Sequence, residues 1–178
     1  MTIKPAAFLL HGFLGAGKTT LAKRLELEQN ALRFTHDEWM SRLYGADPPE
    51  AEFEERARRV YAVMEDLWTR SIDLGTNVVL DFGFWSRAER TRVRELVASR
   101  GGKPVLCRLS CPDDVAWRRI AQRNEQPAGS LYIAPATFQL LKSRFESLEP
   151  DEDRVEIAST TADGRSASRP TRPPHPAI

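Results

Sequence analysis

The sequence AAFLLHGFLGAGKTTLAKRL, at residues 6–25, decides the fold. An apolar run of strand length leads into a glycine-rich segment, and a pattern of helical period follows it. The glycine-rich segment, residues 12–19, matches G-x-x-x-x-G-K-[ST] at every fixed position, in the strand-loop-helix context that a P-loop requires. A glycine turn without a ligand would need Lys18 and Thr19 to stand there by coincidence. We therefore expect a P-loop and an α/β fold.

The residue types of this loop suit the binding of ATP and Mg²⁺. Glycines allow successive backbone N–H groups to point inward, and the positive end of the following helix strengthens this anion nest. We expect the Lys18 ammonium to reach the β- and γ-phosphates of ATP and the Thr19 hydroxyl to bind Mg²⁺. The predicted nucleotide-binding residues are Gly12, Phe13, Leu14, Gly15, Ala16, Gly17, Lys18, Thr19 and Thr20.

Along the rest of the chain, apolar runs of strand length alternate with segments of helical period, which is typical of a parallel sheet flanked by helices. Ser86 and Glu89 suit a capping box, and Pro112 suits a first helical position. The expected fold is a P-loop NTPase with one five-stranded parallel sheet. Strands are predicted at 6–10, 32–35, 77–80, 104–109 and 154–157, and helices at 18–28, 52–74, 87–99, 113–123 and 135–147.

Two segments depart from this pattern. Residues 124–133, NEQPAGSLYI, are polar and contain Pro127 and Gly129, so they are predicted to form a mobile lid loop. Residues 159–178 are dominated by Ser, Thr, Arg and Pro and cannot bury enough apolar surface to become ordered. We therefore predict one P-loop kinase domain at 1–158 and a disordered tail at 159–178.

Charge and composition limit the classes of partner. Lys and Arg total 26 against 25 Asp and Glu, a net charge of +1 that gives no general attraction to nucleic acid or to anionic membranes. The N-terminal residues have the pattern of neither a signal peptide nor a membrane span. Cys107 and Cys111 suggest neither a zinc site nor a disulfide framework. We expect a cytoplasmic protein without membrane contact, and the oligomeric state stays open.

Two carboxylates directly follow predicted strands, where open α/β sheets bind their ligands. Asp81 ends the run VVLD, which resembles a Walker B strand, so we expect Asp81 and Thr19 to hold Mg²⁺. Asp37 follows the second strand and is expected to take the proton from an attacking hydroxyl. The alternatives are a turn cap for Asp81 and, for Asp37, the N-cap of a helix that begins near Glu38.

Several arginines could contact anionic groups. Arg119 and Arg123 share one helix face beside the predicted lid and are expected to neutralise the transferring phosphoryl group. Their alternative is a solvated basic face that suits the helix dipole. The arginines that follow Asp81 are expected to form a solvated flank, from which Arg87 or Arg90 could reach an anionic acceptor; they are Arg87, Arg90, Arg92 and Arg94.

Aromatic residues near the strand ends suggest a binding surface for the acceptor. Trp39 and Trp85 each lie close behind one of the two carboxylates in the sequence, so either could line an aromatic acceptor pocket. Trp68 lies in a predicted amphipathic helix and is expected in the core.

Four motifs together resemble the small P-loop kinases of the AAA_33-like family, which includes chloramphenicol phosphotransferase, the zeta toxins and the kinase domain of polynucleotide kinase. The motifs are GFLGAGKTT at 12–20, THDEW at 35–39, VVLDFG at 78–83 and RRIAQRN at 118–124. In those relatives an acidic residue after the second strand is the general base, and arginines before the lid contact ATP. The resemblance implies these roles for Asp37, Arg119 and Arg123. The polynucleotide kinase type usually has an arginine where this chain has Met40, a departure from that subgroup.

These features predict an ATP- and Mg²⁺-dependent kinase that phosphorylates a hydroxyl of a small molecule, a metabolite or an antibiotic. A polynucleotide or nucleotide kinase is the alternative within the same class, disfavoured by the low net charge. A nucleotide-dependent switch or partner-binding NTPase is the alternative from another class. The sequence disfavours a switch because it has no N-K-x-D motif and because Phe82, rather than Glu, follows Asp81.

Overall fold

The computed structural model describes residues 4–125 and 131–157. Five parallel strands form one sheet in the order β2-β3-β1-β4-β5. The strands are β1 (Ala6–His11), β2 (Ala31–Thr35), β3 (Asn77–Gly83), β4 (Lys103–Leu109) and β5 (Val155–Ile157). The helices in the described residues are α1 (Lys18–Glu28), α2 (His36–Tyr44), α3 (Glu50–Asp73), α4 (Arg87–Ser99), α5 (Asp113–Asn124) and α6 (Pro135–Ser143). The predicted α/β fold is therefore confirmed.

Strand β1 lies at the centre of the sheet, paired with β3 on one side and β4 on the other. Adjacent residues of β1 point to opposite faces, so Leu9 and Leu10 belong to different core clusters. The Leu9 cluster includes residues of α3 and α4, and the Leu10 cluster includes residues of α1. Helices thus cover both faces of the sheet, as apolar parallel strands require.

The register of the sheet brings functional candidates together at its carboxyl edge. Thr35, the last residue of β2, pairs with Asp81 of β3. The P-loop leaves the end of β1, the neighbour of β3. The three chain segments predicted to carry the chemistry therefore meet at one edge of the sheet.

Several local predictions differ from the structure. Helix α2 was considered only as the alternative for Asp37, a helix beginning near Glu38; it begins at His36, directly after β2, with Thr35 at the N-cap. Asp37 therefore lies inside the first turn, and its interpretation as an N-cap is wrong. Pro112 is the N-cap residue of α5 rather than its first helical residue, and α6 ends at Ser143. The Ser86 hydroxyl does cap α4, accepting a hydrogen bond from the Glu89 backbone N–H at 3.1 Å.

The arginines after Asp81 do not reach an acceptor site. Arg90 is completely buried, and its guanidinium forms a two-point ion pair with Glu152 at 2.7 and 2.8 Å. The same guanidinium donates to the backbone carbonyls of Phe84 and Trp85 at 3.0 and 3.2 Å. Arg87 pairs with Asp151 at the surface. The prediction of a solvated flank is therefore wrong for Arg90. Its ion pair with Glu152 links α4 to the segment before β5.

Two predictions fall largely on residues outside the described ranges. The predicted tail at 159–178 lies wholly outside them, as do residues 126–130 of the predicted lid at 124–133. Among the described residues, no helix combines the length and the apolar character needed to cross a lipid bilayer.

Candidate active site

The P-loop connects β1 to α1 through two glycines with left-handed backbone angles. Gly15 has φ +73°, and a Cβ at this position would lie 2.5 Å from the Ala116 carbonyl oxygen of α5. Gly17 has φ +94°, and a Cβ there would meet no atom within 4 Å. Gly15 thus permits α5 to pack directly on the loop, whereas Gly17 allows the turn into α1 beside open space.

A cleft of about 510 Å³ opens beside the loop at the carboxyl edge of the sheet. Its lining includes residues that were predicted from the sequence to bind the nucleotide, to bind the metal ion or to accept a proton. These predicted residues are Leu14, Gly15, Gly17, Lys18, Thr19, Thr20, Asp37, Asp81, Arg119 and Arg123. Phe13 and Ala16 instead line a separate cavity of about 140 Å³, and Gly12 lines neither.

The two predicted metal ligands lie in direct contact. The Thr19 hydroxyl donates a hydrogen bond to Asp81 Oδ2 at 2.8 Å, and the Thr35 hydroxyl donates to the same oxygen at 3.4 Å. Burial raises the pKa of Asp81, an effect opposed by Lys18 and by the Thr19 hydrogen bond. A hydroxyl and a carboxylate oxygen that lie 2.8 Å apart are hard oxygen donors of the kind that Mg²⁺ prefers. These residues therefore fit the ion.

Lys18 and Asp37 interact electrostatically across the cleft. Burial lowers the pKa of Lys18, while Asp81 and Asp37 oppose that shift. Burial by itself would raise the pKa of Asp37, but His36, Lys18 and Arg123 together hold this pKa below its usual value. The His36 Nδ1 atom lies 3.6 Å from Asp37 Oδ1. The Asp37 side chain is still 47% exposed, so its carboxylate faces the open cleft.

Helix α5 directs two arginines toward the loop. One guanidinium nitrogen of Arg119 donates to the Gly15 carbonyl at 3.2 Å. The Nε of Arg123 is buried and has no hydrogen-bond partner among the described residues. A buried donor without a partner costs about 1–3 kcal/mol, which a bound anion would recover. The alternative of a solvated basic face is therefore wrong for Arg123.

The cleft also has a largely aromatic wall, of which the sequence predicted Trp85. Tyr61 stacks on His36 with ring centroids 3.9 Å apart, and its edge meets Phe82 at 5.2 Å. Burial raises the pKa of Tyr61, with contributions from Glu89, Asp37 and Asp81. The residues of this wall, called here the acceptor wall, are His36, Phe53, Ala57, Tyr61, Phe82, Trp85 and Glu89.

The three predicted tryptophans have different surroundings. Trp85 lines the cleft, and its indole N–H donates to the Gly12 carbonyl at 3.3 Å. Trp39 packs against the core instead and does not line the cleft, so its assignment to an acceptor pocket is wrong. Trp68 is in the core, as expected, with 1% exposure. Besides Trp85, the sequence contained one further usable signal for the acceptor wall, because Phe82 directly follows Asp81.

Comparison with known proteins identifies the kind of domain. A family model described as an AAA domain matches residues 8–148. No curated protein matches the chain at a significant level.

Similarity to solved structures extends over most of the chain. A candidate kinase from Chloroflexus aurantiacus J-10-fl has a TM-score of 0.70 at 20% identity, covering 87% of this chain and 88% of that chain. A gluconokinase from Sinorhizobium meliloti 1021 has a TM-score of 0.61 at 14% identity, covering 89% and 85%. A chain of the Pnkp1/Rnl/Hen1 RNA repair complex has a TM-score of 0.63 at 20% identity, covering 82% of this chain and 48% of that chain. At these identities the likeness shows a shared fold.

Proposed function

The chain belongs to the AAA domain family and has the fold of kinase-like P-loop NTPases, and from this premise we propose that it is a small-molecule kinase. The proposed reaction moves the γ-phosphate of ATP to a hydroxyl of a metabolite or an antibiotic. The observation that carries the proposal is one continuous cleft, in which the P-loop, Asp37 and an aromatic acceptor wall face the same space. Aromatic side chains beside the predicted phosphate site offer an acceptor an apolar surface to bind.

The donor half of the cleft has the charges that a triphosphate needs. In the proposed complex, the loop amides and Lys18 hold the β- and γ-phosphates. Arg123, whose Nε has no hydrogen-bond partner in the described part of the chain, binds the phosphate oxygens. Arg119 already touches the loop through the Gly15 carbonyl, close to the site of transfer. Fixed cations of this kind stabilise charge on the phosphoryl group during transfer.

Thr19 and Asp81 would hold Mg²⁺, for which their converging oxygens are suited. When bound, the ion neutralises negative charge on the phosphate oxygens. Asp81 would then keep its charge despite its burial, because a cation replaces the Thr19 hydroxyl as its partner.

Asp37 is proposed as the general base. It is exposed to the cleft, and its lowered pKa keeps it ionised at neutral pH. A carboxylate in this state can accept the proton of the acceptor hydroxyl as that oxygen bonds to phosphorus. His36 would act as a positioning residue, because it contacts both Asp37 and the ring of Tyr61.

A nucleic-acid kinase is the second candidate, favoured by the similarity to a chain of an RNA repair complex. The cleft argues against it. Nucleic acid binding depends on Lys and Arg contacts to phosphates, and the cations that line the cleft, among the described residues, are those beside the P-loop. The acceptor wall carries Glu89 and no Lys or Arg.

The proposal is tested by following labelled phosphate from ATP into pools of hydroxylated metabolites, antibiotics and 5′-hydroxyl oligonucleotides. We expect label in a small molecule with wild-type protein and none with Lys18→Ala. Label in oligonucleotides alone would favour the second candidate. Release of inorganic phosphate without an acceptor, accelerated by a protein partner, would favour a switch NTPase and contradict the proposal.

A further inference from the structure

Glu89 is a carboxylate that the proposed reaction leaves without a role. It lies in the first turn of α4 and lines the cleft on the acceptor wall. Its side chain forms no ion pair or hydrogen bond with any residue in the described ranges. Burial raises the pKa of Glu89, an effect that the charges of Arg92, Arg90 and His36 oppose. Carboxylates in such surroundings are normally paired with a cation.

The nearest arginines are already engaged elsewhere. Arg90 is buried against Glu152 and several backbone carbonyls. Arg92 forms a two-point ion pair with Glu65 at 2.8 and 3.0 Å. Both guanidinium groups act on Glu89 through space, but neither forms an ion pair with it among the described residues, which leaves the carboxylate open to a cationic ligand.

Tyr61 contributes a polar group to the same wall. Its side chain is partly buried and lines the cleft, and its hydroxyl makes no hydrogen bond to the described residues. A hydroxyl that borders a cleft can donate to or accept from a bound molecule. The Tyr61 hydroxyl lies within electrostatic range of both Glu89 and Asp37, so one small molecule could contact all three groups.

The distribution of charge in the cleft is uneven. Its cations, Lys18, Arg119 and Arg123, lie on the P-loop side, where a triphosphate would engage them. The acceptor side has Asp37 and Glu89 together with aromatic rings. An anionic acceptor would meet two carboxylates, whereas a cation would meet a carboxylate and aromatic rings, which both attract it.

We propose that the acceptor is a hydroxylated amine, bound with its hydroxyl at Asp37 and its protonated nitrogen at the Glu89 carboxylate and the Tyr61 hydroxyl. The chemical class is that of amino alcohols and amino sugars. This inference rests on the proposed kinase function and specifies the acceptor of the same cleft. Glu89 is then a specificity residue, which binds the acceptor without taking part in proton transfer.

The test compares ligands that differ in charge but share a skeleton. One set is glucosamine, N-acetylglucosamine and gluconate; another is phenylalaninol, its N-acetyl derivative and phenyllactate. Dissociation constants are measured in the presence of Mg²⁺ and a non-hydrolysable ATP analogue, and label transfer from ATP is followed for the same compounds. In at least one set, the amine should bind at least about tenfold more tightly than its N-acetyl derivative, as expected for a charged hydrogen bond.

Glu89→Gln keeps the shape of the side chain and the Ser86 cap while removing the charge. It should abolish the preference for the amine and raise its KM, with kcat changed little. Glu95→Gln is the matched control, because Glu95 is an exposed residue of the same helix. This control should keep the preference of the wild-type protein.

Three results would overturn the inference: binding of neutral or anionic ligands as tightly as the amines, an unchanged preference in Glu89→Gln, or no binding of any amine. A fall in kcat for every acceptor in Glu89→Gln would identify Glu89 as a base and also contradict it. Failure of the kinase proposal is distinguishable, because the ATP analogue would then not bind or no hydroxyl compound would be phosphorylated. Phosphorylation of a neutral or anionic compound alone would leave the kinase function intact and refute the amine.

Discussion

Replacing Glu152 with Gln should destabilise the fold, because this residue is the partner of the buried Arg90. The Arg90 guanidinium is fully buried and the Glu152 side chain is 6% exposed. The hydrogen bonds from Arg90 lower the pKa of Glu152 from 4.5 to about 2. A shift of this size corresponds to roughly 3 kcal/mol, at about 1.4 kcal/mol for each pH unit. Glu152 lies between two exposed aspartates, so water screens part of this interaction.

We therefore expect Glu152→Gln to lower the free energy of unfolding by about 2 to 3 kcal/mol at pH 7. Because the folded-state pKa is depressed, the contribution is complete above the unfolded pKa of 4.5 and is lost as the pH falls toward 2. The difference between wild type and variant should thus shrink to less than half at about pH 3. Urea unfolding of the wild type and the variant, at pH 7 and at about pH 3, measures this difference in the free energy of unfolding.

The control is Glu95→Gln, the same chemical change at an exposed position of α4. It should alter the free energy of unfolding by less than about 0.5 kcal/mol. An equally small loss in Glu152→Gln, or a loss independent of pH, would refute the reasoning that the ion pair fastens α4 to the segment before β5.

Three further perturbations probe the loop and the proposed base. Gly15→Ala places a Cβ 2.5 Å from the Ala116 carbonyl oxygen and should cost about 1–3 kcal/mol while weakening ATP binding. Gly101→Ala is the control, because Gly101 has a similar positive φ and a Cβ there would meet no atom within 4 Å. Equal losses of stability and ATP affinity in Gly15→Ala and Gly101→Ala would contradict the inference that contact with α5 causes the loss. Trp85→Phe removes the hydrogen bond to the Gly12 carbonyl and should cost about 1 kcal/mol in urea unfolding. Because the pKa of Asp37 is lowered and a base must be deprotonated, kcat at saturating Mg²⁺-ATP and acceptor should not fall between pH 7 and about pH 5. An acid limb within that range would assign the base to another group.

The sequence was sufficient for the parts of the fold that local rules determine. Helices α1 and α4 begin and end at the predicted residues, because a P-loop precedes one and the Ser86 cap precedes the other. The convergence of Lys18, Thr19 and Asp81 follows from the strand order and register, which place the ends of parallel strands together. Helix α2 was missing from the set of predicted helices because it is short and follows β2 with no turn between them.

Other features depend on contacts between distant parts of the chain. Arg90 resembles its neighbouring arginines in sequence, and only the packing of residues 146–152 against α4 makes it a buried residue. Tyr61 and Glu89 lie on different helices, and no local pattern indicates that both face Asp37. The phosphate-binding residues could thus be predicted from a motif, whereas Tyr61 and Glu89 could be placed in the cleft only from the three-dimensional structure.

The most direct test of the account is the effect of Asp37→Asn on ATP binding and on phosphate transfer, measured separately. Once an acceptor is identified, single-turnover kinetics give the transfer rate, and titration with the ATP analogue gives the affinity. Because general-base catalysis contributes about 10²- to 10⁴-fold, we expect transfer to fall by at least about 100-fold while ATP affinity changes little. Asp47→Asn, at an exposed position, should leave both unchanged. A transfer rate within about threefold of wild type, less than ~1 kcal/mol of barrier, would contradict the role of Asp37 as the base.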